Sequence, residues 1–368
     1  MNKNNDLYVP DEYVLSLCNE IKIRKAFNNI DSLNTVYIGG GTPSLLRKEQ
    51  LKKIMDAVFF ALKKNPDEVT IEVNPDDVSE EELDIYSSLG ITRISCGIQS
   101  LNHDALKNVN RRADEKQNIS AMNILKNHWK GIFSVDLISG LPFENEELSL
   151  ETLSKVIAFR PKHISLYSLT IEEETPLGKK LLGNPCMYDF DLADKIWIIG
   201  RDFLLKNGYF QYEVSNFCLS GYECKHNMVY WNLNDYLGCG SGGTLSVYGR
   251  NAVRFTNVCD VNKYIDYWKN IDFLDKDCLK NAPGTKENLS IETQKFEFFM
   301  MGLRTLKGVS EEDFKKRFST GFPKKVMSTF KKWEEKGLCS IKNINGEHFY
   351  SLNMEGILFL NDFLTEIL

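Results

Sequence analysis

Residues 35–44 read Thr-Val-Tyr-Ile-Gly-Gly-Gly-Thr-Pro-Ser, a four-residue β-branched and aromatic run that breaks into three consecutive glycines. The run predicts a short strand. The glycines predict a tight corner whose backbone N–H groups approach a carboxylate or phosphate with no Cβ in the way. Outward from this corner the same rhythm repeats: from Tyr13 to about Phe217, helical stretches of mixed charge alternate with short apolar runs and polar or glycine-rich turns. The runs are residues 35–38, 69–73, 91–96, 133–138, 164–169 and 210–214. Between them, segments such as 49–63, 80–89 and 189–206 carry apolar residues at three- and four-residue spacing. Six strands alternating with helices predict βαβ units on a parallel sheet. The expectation is therefore an α/β fold, a partial (β/α) barrel of the TIM type, with a flat doubly wound sheet as the alternative.

After Asn216 the texture changes. Gly238, Gly240, Gly242 and Gly243 crowd one loop, and Asn281-Ala282-Pro283-Gly284 marks a break. From Ser290 onward the pattern is helical, with one hairpin signal at 341–350 turning at Asn345-Gly346. Three regions follow: a barrel over 1–217, a glycine-rich connecting segment over 218–282, and a small helical or winged domain over 283–368.

Composition narrows the class. A chain of 368 residues, 42% hydrophobic and 26% charged, buries a large core. Its formal net charge of -6, with lysines interleaved among acids, gives no attraction to nucleic acid. No apolar run approaches the roughly 18 residues that cross a bilayer, and the first ten residues are polar, so a cytoplasmic location without an integral membrane segment is expected. Nine cysteines with no regular framework read as reduced, mostly buried thiols.

In a parallel barrel, ligands gather at the C-terminal ends of the strands. There the sequence puts Gly40, Gly41 and Thr42 after the first run, Glu72 near the end of the second, Gln99 after the third and Asp136 inside the fourth. Each has a plainer reading: a tight corner, a solvated strand-end acid, a turn glutamine, and, for Asp136, a structural ion pair with Arg93 or Arg111.

The order of the pieces is more specific than any one of them. The glycine corner, Glu72-Val73-Asn74-Pro75, Arg93 to Ser100, Asp136 to Pro142, and Tyr167-Ser168-Leu169 with Glu174-Thr175-Pro176 resemble the successive strand ends of the oxygen-independent coproporphyrinogen oxidase-like radical S-adenosylmethionine family. The resemblance runs from about Tyr13 to the C-terminus. It implies that Gly40, Gly41 and Thr42 receive the methionine end of S-adenosylmethionine, with Glu72, Gln99, Arg111 and Asp136 contacting the rest. Asn110-Arg111-Arg112-Ala113 departs from relatives that carry histidine at the alanine's place, which loosens the assignment of Arg111. A further block, His226-Asn227-Met228-Val229-Tyr230-Trp231, resembles the signature of the HemW-type heme-chaperone branch. That resemblance implies heme as ligand and a heme-acceptor protein as partner. His226 would offer an imidazole to iron, and Tyr230 and Trp231 flat surfaces to a porphyrin, against the plainer reading of a buried histidine beside aromatic residues.

The family holds a [4Fe-4S] cluster with Cys-x3-Cys-x2-Cys after its first strand, and no such spacing exists among cysteines 18, 96, 186, 218, 224, 239, 259, 278 and 339. Compared with the family, residues 11–14 fall just downstream of that triad. The expectation is that the first barrel strand and the cluster loop are both missing here, either because the sequence is a shortened reading or because radical chemistry has been given up. The edge at 35–38 would then be covered by a homodimer or by missing chain. The expected function is heme handling with no cluster-ligating set and no metal ligand other than His226. The alternative is a truncated coproporphyrinogen III oxidase of porphyrin biosynthesis.

Overall fold

The computed structural model describes residues 8–183, 188–272, 275, 277–344 and 346–368. In chain order, α1 (Asp11–Phe27) precedes β1 (Thr35–Ile38), followed by α2 (Lys48–Phe59), β2 (Glu68–Val73), α3 (Glu80–Ser88), β3 (Arg93–Gln99), α4 (His103–Asn108), α5 (Glu115–His128), β4 (Ile132–Ser139), α6 (Glu146–Ala158) and β5 (His163–Ser168). Next come α7 (Pro176–Gly183), α8 (Phe190–Lys206), β6 (Phe210–Gln211) and β7 (Asn216–Cys218). The helices start where side chains satisfy the first-turn N–H groups: Ser79 accepts from Glu82 N, Asn145 from Leu148 N, Asp189 from Leu192 N, and Asp114 forms a reciprocal box with Gln117.

Packing divides the chain into two compact units, one of Asn34–Leu46 with Pro66–Cys224, the other of Met1–Leu33, Arg47–Asn65 and Lys225–Leu368. The first holds a seven-stranded sheet in the order β1-β2-β3-β4-β5-β7-β6. Strands β1 to β5 are parallel and neighbour one another in sequence order, with no reversal of direction along the sheet. A doubly wound sheet needs a switch point in its strand order, so this order supports the partial (β/α) barrel and removes the alternative. β1 stands at one edge.

The run at 210–214 is not a sixth parallel strand. β6 is two residues long, the chain turns back with Tyr212 N donating to Asn216 O, and β7 pairs antiparallel with both β5 and β6. An apolar run carries no information about direction, which is fixed here by that turn.

Alternation along β2 to β5 gives the sheet two different faces. Val69, Ile71, Val73, Ile94, Cys96, Val135, Leu137, Ile164 and Leu166 are at most 4% exposed. Leu166 and Leu153 pack against Gly200 of α8, where an added Cβ would stand 3.1 to 3.2 Å from their methyl carbons. The other face is polar yet largely buried: Thr70, Arg93, Ser95, Ser134, His163 and Ser165. Buried polar groups require partners, and these partners build the functional end of the sheet.

The second unit contains α1 and α2, then α9 (Lys225–Trp231), β8 (Thr244–Val247), β9 (Val253–Asn257), α10 (Val261–Lys269) and β10 (Gly284–Asn288). It continues through α11 (Ile291–Gly302), β11 (Val309–Ser310), α12 (Glu311–Phe318), α13 (Lys324–Glu335), β12 (Cys339–Ile344), β13 (Glu347–Leu352) and α14 (Leu360–Ile367). The segment over 218–282, expected to be a connecting one, holds α9, α10 and the strands β8 and β9 of an antiparallel sheet that β10 completes in the order β10-β9-β8. Ile23, Tyr264, Ile265 and Trp268 join α1 to α10 in one apolar cluster. Glu20, fully buried, fixes the glycine-rich loop to it: one carboxylate oxygen accepts Arg24 Nε at 2.6 Å and Asn257 Nδ2 at 2.7 Å, the other Tyr264 Oη at 2.6 Å and Gly240 N at 2.8 Å. The C-terminal part is the expected small winged domain, with β12 and β13 as the wing. Gly346 of the turn has φ +90°, and Asn345 lies outside the described residues.

Of the cysteines, Cys18, Cys96, Cys218, Cys224, Cys278 and Cys339 are buried and unlinked, Cys239 is half-buried and Cys259 exposed, while Cys186 lies outside the described residues. Among the described residues no helix is long and apolar enough to cross a membrane.

Candidate functional site at the mouth of the parallel sheet

The C-terminal ends of β1 to β5 surround a cavity of about 520 Å³, within the range of small-molecule sites. Gly41, Thr42, Glu72, Gln99, Arg111 and Asp136, assigned separately from sequence, all line it. His226, Tyr230 and Trp231 belong to the other unit.

The glycine corner works as its composition predicts. Gly40 and Gly41 have φ +77° and +63°, and a Cβ on either would meet nothing within 4 Å, so the constraint is backbone conformation and open space. Gly39 is held differently, because a Cβ there would stand 2.5 Å from the Tyr37 ring and 2.9 Å from the Glu72 carboxyl. Those two side chains form the floor of the corner. Tyr37 Oη donates to Glu72 Oε1 at 2.7 Å and Gly40 N to Glu72 Oε2 at 3.2 Å. Burial and the adjacent Glu72 carboxylate push the Tyr37 hydroxyl far up, so it stays a donor. Glu72 is thus no loose strand-end acid.

At the third strand the backbone departs from regular pairing. The β3–β4 register shifts between Cys96 and Gln99, and Gln99 has φ +64°. Such a bulge re-aims a side chain at the rim of a barrel. The Gln99 amide folds back across Gly97, whose Cβ would lie 2.9 Å from Gln99 Nε2 and 3.1 Å from Arg111 Nη2. Arg111 Nη2 donates to Gly97 O at 3.0 Å, which leaves its other donors for the cavity, and burial lowers its pKa.

Asp136 is not an ion pair with Arg93 or Arg111. Arg93 pairs with Glu68 at 3.3 Å and with Tyr222 O, at the opposite end of the strands. Asp136 instead accepts Ser95 Oγ at 2.8 Å on Oδ2, with Ser165 opposite it on β5, while its buried Oδ1 has no partner among the described residues. Burial raises its pKa against those two hydroxyls. An orphaned carboxylate oxygen at a cavity wall calls for a donor from outside, such as an amine or a ribose hydroxyl.

Three supporting residues escaped the sequence reading: Tyr37, Ser95 and Ser165. Period-two alternation would have found them, since Tyr37, Glu72, Ser95, Asp136 and Ser165 share a face once the strands are in register. Glu144 escaped too. It accepts Ser100 Oγ at 3.0 Å and the Gly140 and Leu141 N–H groups at 3.1 Å each, joining the ends of β3 and β4, and burial pushes its carboxyl up to about 7.

In the other unit, His226 and Tyr230 are one helical turn apart on α9, with His226 Nε2 3.0 Å from Tyr230 Oη and the rings edge-on at 5.2 Å. Tyr236 packs edge-on against Tyr230. Trp231 does not join them. Its ring carries the Arg304 guanidinium at 5.6 Å and borders a different cavity. The sequence reading of Tyr230 and Trp231 as paired porphyrin surfaces therefore separates into two places.

Residues 8–156 match the Radical SAM superfamily, and residues 289–358 the HemN C-terminal domain. The chain is 31% identical to "Heme chaperone HemW" of Buchnera aphidicola over 366 residues, covering 98% of this chain and 91% of the relative. The chain belongs to the HemW heme-chaperone family. The HemW protein of Bacillus subtilis is also 31% identical, over 96% of this chain and 90% of its own length. That of Haemophilus influenzae is 33% identical, over 91% and 84%. Coproporphyrinogen III oxidase (HemN) from Escherichia coli, a radical SAM enzyme, superposes with a TM-score of 0.78 at 18% identity, covering 97% of this chain and 82% of that one. The HemW sequence relationship and the HemN-like fold agree with the strand order and with the winged C-terminal part.

A [4Fe-4S] cluster does not fit the donors that this HemW-family chain offers. No three of its cysteines are spaced for one, and among the described residues no three cysteines, histidines or carboxylates converge as a metal site. Cys96, the cysteine in the cavity-forming strands, alternates away from Ser95 and Gly97, and its buried thiol is pushed far above the ordinary range. S-adenosylmethionine does fit: the corner offers free space at Gly40 and Gly41, and Asp136 offers an orphaned acceptor.

Proposed function

We propose that this protein is a cytoplasmic heme-binding chaperone of the HemW type, which carries heme to an acceptor protein and keeps a pocket for S-adenosylmethionine. The observation that carries the reading is the 31% identity to "Heme chaperone HemW" along 98% of this chain. In this proposal His226 ligates the heme iron. Ligation through Nδ1 would preserve the bond between Nε2 and Tyr230 Oη, which then orients the ring as outer-shell partners of metal-bound histidines do; ligation through Nε2 would break it.

At the mouth of the sheet, Gly40, Gly41 and Thr42 would receive the methionine end of S-adenosylmethionine, with Glu72 behind them held by Tyr37. Asp136 would accept from an amine or hydroxyl of the ligand, and Gln99 and Arg111 would face its remaining polar edges. When bound, S-adenosylmethionine supplies an electrophilic sulfonium. Cleaving it reductively needs an electron that none of these side chains can deliver, so the residues present bind and orient.

Hemin titration of the whole chain and of His226→Ala tests the heme assignment. The wild type is expected to give a saturable shift of the Soret band, with a different band position or weaker binding in the variant. Identical spectra and affinities would remove His226 as the ligand, and no binding by the wild type would end the heme reading.

A further inference from the structure

The helix that carries His226 has little stability of its own. α9 is seven residues long, too short to keep its direction in isolation, so whatever fixes its ends aims its side chains. Its last turn closes as a Schellman motif: Asn234 N donates to Val229 O and Leu233 N to Tyr230 O, each at 3.0 Å. The residue that closes such a motif adopts the left-handed conformation and is usually glycine. Here it is Leu233, at φ +50° and 2% exposed. A side chain strained in this way persists only where its surroundings hold it.

The hold comes from α12. Arg317 Nη1 donates to Leu233 O at 3.0 Å and Nη2 to Asn232 O at 3.1 Å, so one guanidinium spans two carbonyls of the turn. Asp313, one helical turn earlier, accepts Arg317 Nε at 2.8 Å and fixes the fork. Beyond the turn the chain comes back toward the imidazole. Tyr236 N donates to Ser246 O at 3.0 Å, Tyr236 Oη accepts Ser246 Oγ at 3.1 Å, and the Tyr236 ring meets Tyr230 edge-on at 4.8 Å. Tyr230 Oη in turn lies 3.0 Å from His226 Nε2. A continuous run of contacts therefore leads from Arg317 through the Leu233 turn, Tyr236 and Tyr230 to His226, all within one compact unit.

We propose that Arg317 is a positioning residue for the His226 imidazole: by clamping the left-handed turn at Leu233, it holds Tyr236 against Tyr230 and so sets the ring that Tyr230 orients. The inference rests on the heme reading and adds that the C-terminal domain decides how the imidazole meets the iron. Arg317 itself touches no heme in this account, so its effect passes through ligation by His226.

The test titrates the full chain with hemin and with metal-free protoporphyrin IX, comparing the wild type with His226→Ala, with Arg317→Met, which keeps the length of the side chain and removes its donors, and with Asp313→Asn, which loosens the fork. Arg317→Met is expected to displace the hemin Soret band and weaken hemin binding about fivefold, less than a direct outer-shell partner is worth, while protoporphyrin affinity changes by less than about twofold. Asp313→Asn should displace the band in the same direction by a smaller amount. An unchanged hemin spectrum in Arg317→Met, or equal weakening of hemin and protoporphyrin, overturns the inference, the latter because Arg317 would then shape the site rather than aim the ligand. If protoporphyrin binds neither protein, the hemin band alone decides. A hemin spectrum altered by His226→Ala but not by Arg317→Met overturns the positioning role only, whereas a wild type that binds no hemin, or a His226→Ala spectrum identical to the wild type's, overturns the heme or imidazole assignment itself. Circular dichroism checks the fold of each variant, and should Arg317→Met not fold, an unchanged band in Asp313→Asn overturns the inference in its place.

Discussion

The two ends of the same five parallel strands solve opposite problems with the same polar face. At the N-terminal ends, Arg93 is 1% exposed and pairs with Glu68, the Cys224 thiol donates to Glu68 at 3.4 Å, and Tyr212 Oη meets both His163 Nε2 at 3.0 Å and Cys224 N at 3.3 Å. Burial pushes the His163 imidazole well below its usual range, so it stays neutral. At the C-terminal ends, Glu72 is held by Tyr37 and Asp136 by Ser95, but the wall opens and Asp136 Oδ1 is left over. A network whose charges are paired makes a plug, whereas one with a surplus carboxylate oxygen makes a receptor. Satisfaction is not complete at the base either, since His163 Nδ1 and Thr70 Oγ1 have no partner among the described residues; what differs is that the base leaves neutral atoms over and the mouth a carboxylate oxygen.

This comparison breaks first where the plug is removed. Arg93→Ala leaves Glu68 buried without its cation, and breaking a buried pair costs about 3–5 kcal/mol. Urea denaturation should report that loss, with ligand affinity at the mouth unchanged in whatever fraction remains folded. An unchanged midpoint would mean that the base is not a plug.

Glu144 sharpens the contrast through pH. Its folded-state carboxyl binds a proton more tightly than the unfolded one, about 7 against 4.5, so stability should fall as pH rises through that window and level off above it. The decline is at most about 3 kcal/mol for one group of this shift. Glu144→Gln should flatten the profile between those limits. A wild-type profile already flat there would mean that Glu144 titrates normally and that the loop after β4 is not strained by its charge.

A smaller effect is expected at the corner. Tyr37→Phe keeps the ring that Gly39 packs against and removes the bond to Glu72, for a loss of about 1 kcal/mol in thermal or urea stability. A loss as large as that of Arg93→Ala would erase the distinction between plug and receptor.

Much of this was legible in the sequence, for identifiable reasons. Mostly buried parallel strands read as β-branched runs, so β1 to β5 could be placed to within three residues, and their C-terminal ends gathered Gly41, Glu72, Gln99, Arg111 and Asp136 in one cavity. The reversal at β6 and β7 was not legible, because it depends on a turn hydrogen bond rather than on hydrophobicity. Nor was the β8–β9–β10 sheet, whose outer strand is exposed at every residue and so has no alternation to read. The ion pair offered as the plainer reading of Asp136 fails for a related reason: charge suggested an arginine, but strand register puts Ser165 opposite it and Ser95 Oγ lies 2.8 Å from its Oδ2. Trp231 was grouped with Tyr230 because they adjoin in sequence, and adjacent residues on a helix face different directions.

The most direct test of the receptor end is calorimetric titration of the full-length protein and of Asp136→Asn with S-adenosylmethionine at neutral pH. The account predicts one site per chain in the wild type, binding at least about tenfold weaker in the variant, and a urea midpoint no lower in the variant, because burial raises the Asp136 pKa and its ionised form costs stability at neutral pH. No binding by the wild type, or equal affinity in both proteins, would contradict it.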